Sequence, residues 1–355
     1  MISCLGVRSL GLPRRGFVLL IAVVALASRA ILSAEPPAHP DPNPTIVFSQ
    51  FAAGEPIRFV AYGDSRFTDP WVTAGTNPRV RMWLASRIGE EHARVVLLTG
   101  DTPYHGAKET DWQEFQKETA SWRAQHMLEL PTTGNHEVYG GYKEGIANYL
   151  ANFPAIEGHR YYTALLGSVE VISLDCTGQG AASQPQARWF AAQLDHLPRQ
   201  VQFLLILYHI PWVADPQTRL LLNVPSSNAL VLRDILEARL HRIQAKVVVF
   251  NGHLHNYERF VRNGVEYVVT GGGGAEPYPI LIRGRSDLYR DTAFPVYHYL
   301  TVDIENGKLH AVMWKIKNPD AHNLTVEAKD EFTLIAPPLK PASNAAAKPP
   351  ARLAH

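Results

Sequence analysis

Four apolar runs of this chain each end within a few residues of a side chain that can bind a metal ion. The runs are rich in β-branched residues, which predicts strands buried on both faces. They cover 57–62 before Asp64, 95–99 before Asp101, 201–208 before His209, and 247–250 before His253. Ligands of open α/β sheets bind outside the carboxyl ends of such strands. The pattern therefore predicts that two carboxylates and two imidazoles from distant segments meet in one site.

The order of the elements predicts the fold class. Helical periodicity and capping residues indicate helices over 78–91, 111–128, 184–194 and 228–242. After Lys246 the pattern indicates strands alone, over 257–261, 266–270, 297–304 and 309–316. We expect an α/β fold of four layers, an α/β/β/α sandwich with two mixed sheets packed face to face, helices outside and the metal site at the strand ends.

Residues 1–34 have the layout of an export signal. Basic residues at Arg8, Arg14 and Arg15 precede an apolar stretch over 17–27 and then small residues. That stretch is short for a membrane span, which needs ~20 residues. Arg14-Arg15 fits a twin-arginine signal, which exports folded chains, and fits an ordinary secretory signal equally well. We expect an exported protein, periplasmic or secreted, with no permanent membrane span in the mature chain.

Composition indicates one domain, over 57–335, between two non-globular segments. A Pro-rich linker is expected over 35–56, and a disordered tail over 336–355. Four of the 34 basic residues fall in the signal, so the mature chain carries 30 basic and 33 acidic residues and is not expected to bind nucleic acid. Removal of Cys4 with the signal leaves Cys176 and no internal disulfide.

Five short segments carry the candidate chemistry. They are Gly-Asp-Ser-Arg at 63–66, Gly-Asp-Thr-Pro-Tyr at 100–104, Gly-Asn-His-Glu at 134–137, Tyr-His at 208–209 and Gly-His-Leu-His at 252–255. Each segment alone is weak evidence for a metal site, because Gly-Asp pairs are ordinary turn formers and His-Leu-His alternates like a strand. In this order the sequence resembles the calcineurin-like metallophosphoesterase superfamily, and within it the purple acid phosphatases, roughly over 57–274.

The resemblance implies a site for two metal ions that share one ligand. The first ion would take Asp64, Asp101, Tyr104 and His255, and the second would take Asp101, Asn135, His209 and His253. Oxygen donors mixed with imidazoles suit Fe, Mn or Zn, and the shared carboxylate would bridge ions about 3.5–4 Å apart. A glycine before each ligand is expected to let the backbone turn sharply at the strand end.

Two positions depart from the wider pattern. Arg66 stands where most of the superfamily has a His, but the purple acid phosphatases also lack that His and use a Tyr three residues after the bridging Asp, which Tyr104 matches. Tyr104 follows Pro103 in a predicted loop, where a Tyr can equally pack against its neighbours. A further His that this branch tends to carry after the position of His209 is absent from 210–222.

The glycines at 271–274 resemble a phosphate-binding loop at first sight. They follow a predicted strand but precede no predicted helix, so they lack the context of a nucleotide-binding loop. We expect them instead to permit a close approach of the backbone behind the metal site.

For function, the resemblance implies a phosphoesterase that hydrolyses a phosphomonoester of a small molecule, with a metal-bridging hydroxide as the nucleophile. His136, beside ligand Asn135, is expected to protonate the leaving group. Arg66 is expected either to hold a phosphate oxygen or to form a structural ion pair. Two alternatives stay open: a phosphodiesterase using the same site, and an inactive, metal-bound, exported binding domain. The presence of His136, which has no metal to hold, favours an enzyme.

Overall fold

Two β-sheets form the centre of the protein in a computed structural model, which describes residues 43–178, 184–222 and 224–338. The strands are β1 (Ile46–Val47), β2 (Ile57–Tyr62), β3 (Val95–Leu98), β4 (Leu128–Pro131), β5 (Tyr162–Leu166), β6 (Val169–Ser173), β7 (Phe203–Leu207), β8 (Lys246–Asn251), β9 (Tyr257–Arg262), β10 (Val265–Thr270), β11 (His298–Glu305), β12 (Lys308–Ile316) and β13 (Val326–Ile335). The helices are α1 (Pro78–Gly89), α2 (Glu109–Glu118), α3 (Ala120–Ala124), α4 (Tyr142–Asn152), α5 (Gln184–Asp195), α6 (Pro216–Leu222) and α7 (Ser227–Glu237), with 3-10 turns at His136–Val138 and Pro154–Ile156.

Both sheets are mixed. The first has the strand order β1-β5-β6-β7-β8-β10-β9, and β6, β7, β8 and β10 run parallel to one another. The second has the order β13-β12-β11-β2-β3-β4, with β2, β3 and β4 parallel. The four ligand-bearing runs predicted from the sequence are the central parallel strands β2, β3, β7 and β8.

Alternate residues of the central strands bury their side chains in two different layers. On β7, Phe203, Leu205 and Leu207 join the cluster that contains residues of the second sheet such as Phe59 and Leu300. Their neighbours on β7 join a second cluster with residues of α5 and α7: Leu204, Ile206, Trp189, Phe190 and Leu232. One face of the first sheet therefore packs on the second sheet and the other face is covered by helices. The predicted four-layer α/β/β/α fold is confirmed.

The predicted helix over 111–128 is wrong in its extent, because the structure divides this segment into α2, α3 and strand β4. Between the two helices, Thr119 has φ −102° and ψ 14°, outside the helical range. Its hydroxyl donates to the carbonyl of Phe115, at 2.5 Å. A threonine hydroxyl that bonds the carbonyl four residues back competes with regular helix geometry, which accounts for the break.

The second half of the predicted linker over 35–56 packs against the domain. Ile46–Val47 pairs with β5, and the Phe51 ring is buried under the guanidinium of Arg94, 4.2 Å from its centroid. The apolar side chains of this stretch explain the difference from a solvated linker. The predicted export signal and most of the predicted tail lie outside the described residues. Within the described ranges, none of the helices is long and apolar enough to cross a membrane.

The carboxyl ends of the parallel strands meet at one edge of the sandwich. The loops after β2 and β3 are joined there by the Asp64 N–H, which donates to the carbonyl of Gly100 at 3.0 Å. The loops after β7 and β8 are joined in the same way, from Gly252 N–H to the carbonyl of His209 at 2.9 Å. Residues that follow these strands are therefore brought to a common site.

Candidate metal centre

Two carboxylates lie buried at this edge. Asp64 follows β2 and is fully buried, and Asp101 follows β3 and is 1% exposed. One ligand atom from each, together with one from His209, lies within 4.8 Å of the other two. Two carboxylates buried so close together repel one another unless cations lie between or beside them.

Backbone carbonyls orient two of the imidazoles. His209 donates its Nδ1–H to the carbonyl of Thr99 at 2.9 Å, and its Nε2 then lies 3.3 Å from Asp101 Oδ1. His255 donates its Nδ1–H to the carbonyl of Glu276 at 2.6 Å, which leaves its Nε2 3.5 Å from Asp64 Oδ1. An imidazole held in this way presents its free nitrogen as a metal ligand.

Asn135 and His253 complete the side of the site next to His209. The Asn135 Oδ1 atom lies 3.3 Å from His209 Nε2 and 3.1 Å from His253 Nδ1. The backbone N–H of His253 contacts both carboxylate oxygens of Asp64, each at 3.0 Å. Six of the predicted ligands thus converge: Asp64, Asp101, Asn135, His209, His253 and His255.

The protonation states and the unsatisfied carboxylate oxygen of this cluster favour the binding of a cation. Asp101 Oδ2 is buried and has no hydrogen-bond partner within the described ranges, with the nearest cationic nitrogen, Nη2 of Arg66, 3.7 Å away. Burial, and then the charge of Asp101, raise the pKa of Asp64. Burial also lowers the pKa of His253 to about 4 and that of His255 to about 3. Neutral imidazoles and a buried carboxylate oxygen without a donor are the forms that bind a metal ion.

Gly100, before Asp101, has the left-handed φ of 91° that the expected glycine turn requires, but several of the candidate ligand residues adopt this conformation as well. Asp64, Asp101 and His253 themselves have left-handed φ values of 54°, 53° and 68°. The glycine before Asp64 is needed for space, because a Cβ on Gly63 would lie 1.8 Å from Thr99 Oγ1. A Cβ on Gly252 would lie 2.5 Å from Asp64 Oδ2. Strained residues of this kind concentrate at functional sites, where the surrounding structure holds them.

The glycines after β10 make the predicted close approach behind the site. A Cβ on Gly271 would lie 2.1 Å from the carbonyl oxygen of Leu254 and 2.9 Å from Asp64 Oδ2. A Cβ on Gly273 would lie 2.2 Å from the carbonyl oxygen of Gly63. This segment therefore forms the rear wall of the centre, as the absence of a following helix predicted.

Glu137 supports the centre, and the sequence analysis gave it no role. It is fully buried, and its carboxylate accepts hydrogen bonds from the backbone N–H groups of Asp101, Thr102 and Gly134, at 3.0, 2.9 and 2.6 Å. Burial, and then the charge of Asp101, raise its pKa to about 8. The sequence feature that could have pointed to Glu137 is its position directly after Asn135-His136. Glu137 joins the loop of Asp101 to the loop of Asn135.

Tyr104 and Arg66 lie together on the other side of Asp101. The Arg66 guanidinium carbon lies 5.8 Å from the centroid of the Tyr104 ring. The Tyr104 hydroxyl faces Gly75, where a Cβ would lie 3.1 Å from it. Arg66 Nη1 donates to the Gly75 carbonyl at 3.4 Å, while its Nε is buried without a hydrogen-bond partner among the described residues. Both assignments, the tyrosine as ligand and the arginine as phosphate contact, stay predictions.

His136 lies against the carboxylate of Asp101. Its backbone N–H donates to Asp101 Oδ1 at 2.9 Å, and its Nδ1–H donates to the carbonyl of Tyr104 at 2.6 Å. Its Nε2 is then the free ring nitrogen, 3.9 Å from Asp101 Oδ2, on a side chain that is 13% exposed. The imidazole is therefore positioned next to Asp101, with Nε2 as its free ring nitrogen.

Comparisons with known proteins agree with this arrangement. The sequence profile of the calcineurin-like phosphoesterases matches residues 57–257. Purple acid phosphatases 21 and 22 of Arabidopsis thaliana are 28% and 26% identical, over 62% and 58% of this chain and 50% and 46% of their own lengths. The chain thus spans about half the length of the curated relatives it matches.

A solved structure shows the same fold. The purple acid phosphatase isolated from yellow lupin (Lupinus luteus) seeds superposes with a TM-score of 0.60 at 17% identity. The match covers 79% of this chain and 54% of the lupin protein. At this identity the likeness supports the architecture of two mixed sheets, and the chemistry depends on the residues described above.

Proposed function

The chain belongs to the calcineurin-like phosphoesterase family, and we propose that it is a metal-dependent enzyme that hydrolyses phosphomonoesters of small molecules. The observation that carries the proposal is the buried Asp101 carboxylate, whose Oδ2 has no hydrogen-bond donor within the described ranges and which lies among imidazoles and a second buried carboxylate. An arrangement of this kind costs folding free energy and is explained when cations occupy it.

The ligands sort into two groups around Asp101. We assign Asp64, His255 and Tyr104 to one ion, and Asn135, His209 and His253 to the other, with Asp101 shared. The donor set suits Fe, Mn or Zn. When bound, two such ions neutralise the charge of the phosphate and lower the pKa of the water that attacks phosphorus.

We assign His136 as the general acid that protonates the leaving alcohol. Because its Nδ1–H is committed to the carbonyl of Tyr104, proton exchange falls to Nε2, which lies beside Asp101. The hydrogen bond from its backbone N–H to Asp101 Oδ1 fixes the ring relative to the bridging carboxylate. A general acid positioned in this way contributes about 10²–10⁴-fold to the rate.

Arg66 is the group we assign to a phosphate oxygen. Its Nη2 lies 3.7 Å from Asp101 Oδ2, beyond hydrogen-bonding distance, and its buried Nε lacks a partner in the part of the chain that the structure describes. A guanidinium with unused donors at the edge of the centre can bind an anionic oxygen. The alternative, an ion pair that only holds the loop, is tested by Arg66→Lys: it predicts an unchanged KM, whereas phosphate contact predicts a raised one.

The proposed reaction is tested by a panel of mono- and diesters, assayed at several pH values with the metal content measured for the same samples. We expect hydrolysis of monoesters in samples that contain metal. Faster hydrolysis of diesters would replace the assignment by a phosphodiesterase that uses the same residues. Metal binding without hydrolysis of any ester would favour an exported binding domain, the remaining alternative.

The assignment of Tyr104 as a metal ligand is tested by the visible absorption spectrum. A phenolate is a hard anionic ligand, so iron-loaded protein should show a visible charge-transfer band if Tyr104 binds the first ion. Tyr104→Phe should abolish that band, and Tyr139→Phe, which alters an exposed tyrosine nearby, should leave it unchanged. Iron-loaded wild-type protein that is active and shows no such band would contradict the tyrosinate ligand.

Export of the protein remains part of the proposal. It rests on the layout of residues 1–34 in the sequence, which lie outside the described residues. If Arg14-Arg15 forms a twin-arginine signal, replacing both with Lys should retain active enzyme inside the cell. Unchanged export of that variant would indicate the general secretory route.

A further inference from the structure

Three large aliphatic side chains close to the metal centre are exposed to solvent. Leu220 on α6 is 85% exposed, and Leu281 and Ile282, in the segment after β10, are 75% and 79% exposed. Exposed arginines accompany them at Arg219, Arg285 and Arg290. We call these six residues the apolar–basic patch. Single exposed aliphatic residues are ordinary, but a cluster of them with one sign of charge marks an interaction surface.

Hydrogen bonds join the two segments into one surface. The side-chain oxygen of Gln217 accepts the backbone N–H groups of Leu281 and Ile282, at 2.9 and 3.2 Å. Its side-chain nitrogen donates to the carbonyl of Pro279 at 2.8 Å. Leu220 lies three residues after Gln217 and therefore on the same side of α6. The exposed aliphatic residues are thus held at fixed positions on ordered backbone.

The patch carries positive charge because the acidic side chain of its two segments is buried. Segments 216–222 and 277–290 contain a single acidic residue, Asp287, which is fully buried and paired with the guanidinium of Arg283 at 2.6 Å. Asp215, just before α6, is also fully buried, and its Oδ2 accepts the N–H of Gly284. The arginines of the patch therefore have no exposed acidic neighbour within these two segments. Just outside 277–290, Glu276 is exposed, and Asp291 is partly exposed and lies 3.6 Å from the ammonium of Lys329.

The patch lies beside the metal centre along the chain and in space. Tyr278, three residues before Leu281, stacks on the ligand His255 with ring centroids 4.2 Å apart. Its backbone N–H donates to the carbonyl of His255 at 3.0 Å. A surface that contacts Leu281 and Ile282 is therefore close to His255 at the centre.

We propose that the apolar–basic patch docks this protein on an anionic lipid bilayer surface. Aliphatic side chains at loop tips enter the boundary between headgroups and acyl chains, while arginines extend toward the lipid phosphates. Each basic residue near such a surface adds electrostatic attraction, and the attraction weakens with salt. Docking in this orientation brings the metal centre to the bilayer surface, and it requires no assumption about hydrolysis.

The experiment is sedimentation of the full chain with vesicles of phosphatidylcholine, alone or mixed with phosphatidylglycerol. We expect binding to the mixed vesicles that weakens as salt is raised, and little binding to phosphatidylcholine alone. The variant Leu220→Ser, Leu281→Ser, Ile282→Ser should lower the partition coefficient by about tenfold or more, since burial of a single Leu side chain is worth roughly that factor. Arg219→Gln with Arg285→Gln should lower it and flatten the salt dependence.

Matched controls replace residues of similar exposure elsewhere. Ile335→Ser alters an aliphatic residue that is 61% exposed on β13, and Arg242→Gln alters an exposed arginine after α7. Both should bind vesicles like the parent, and melting curves by circular dichroism check that every variant folds. Equal binding by the parent and the patch variants would overturn the proposal. The proposal would also be overturned if the parent does not bind vesicles but forms a dimer, and the triple Ser variant is a monomer. The patch would then bind a second copy of the chain.

Discussion

Asp101→Asn and His253→Ala should each lose bound metal and phosphomonoesterase activity together. Asp101 is the carboxylate that we assign to both ions, and its Oδ2 has no hydrogen-bond partner within the described residues. His253 contributes a ring next to Asn135 Oδ1, at 3.1 Å, and its loop is tied to Asp64. We expect a fall in activity of about 10³-fold or more, equivalent to about 4 kcal/mol of transition-state stabilisation. Metal content by elemental analysis and steady-state rates on the same samples measure both effects.

His196→Ala is the matched control for this experiment. It removes an exposed imidazole at the end of α5, where the ring contacts the carbonyl of Ala192. Metal content and activity should both remain at the wild-type level. If Asp101→Asn keeps two ions and full activity, the assignment of the shared ligand is wrong.

His136→Ala should separate metal binding from catalysis. Because His136 Nε2 approaches Asp101 Oδ2 no closer than 3.9 Å, the variant should fold and keep its metal ions. Loss of the general acid should slow hydrolysis of alkyl phosphates by about 10²–10⁴-fold. Nitrophenyl phosphate should be affected much less, because its leaving group departs without protonation.

The comparison of leaving groups decides the role of His136. Rates of wild type and His136→Ala are measured on a series of aryl and alkyl phosphates, and the loss is plotted against the pKa of the leaving alcohol. We expect the loss to grow with that pKa. An equal loss across the series would show that His136 acts by another route, for example by fixing Asp101 through its backbone N–H.

The central strands, and four of the six converging side chains, were predictable from the sequence for a physical reason, whereas Asn135 and His255 came from the resemblance to a known family. Parallel strands buried on both faces require unbroken apolar runs, so β2, β3, β7 and β8 stand out, and the polar residue that ends each run is conspicuous. Strands at the edges are harder to predict. β13 reads Val-Glu-Ala-Lys-Asp-Glu-Phe-Thr-Leu-Ile, and its exposed polar side chains give no apolar run, although it pairs with β12 from end to end with one bulge at Lys329.

Other features depend on contacts between distant residues. The role of Glu137 requires the loops after β3 and β4 to approach one another, and only then do three backbone N–H groups meet its carboxylate. Asp adopts the left-handed conformation more readily than most residues, but the segment alone does not show that Asp64 does so, with φ 54°. The small space around Gly63 likewise comes from Thr99 on a different strand. Sequence patterns of single segments carry none of this information.

Titration of metal-free protein with Mn, Fe or Zn, followed by the rate of phosphomonoester hydrolysis at each step, tests the central claim most directly. The proposed sharing of Asp101 between two sets of ligands predicts that activity reaches its plateau at two ions per chain. Bound metal at each step is counted independently by elemental analysis. A plateau at one ion per chain would contradict the two-metal centre, and two bound ions without hydrolysis would contradict the proposed activity.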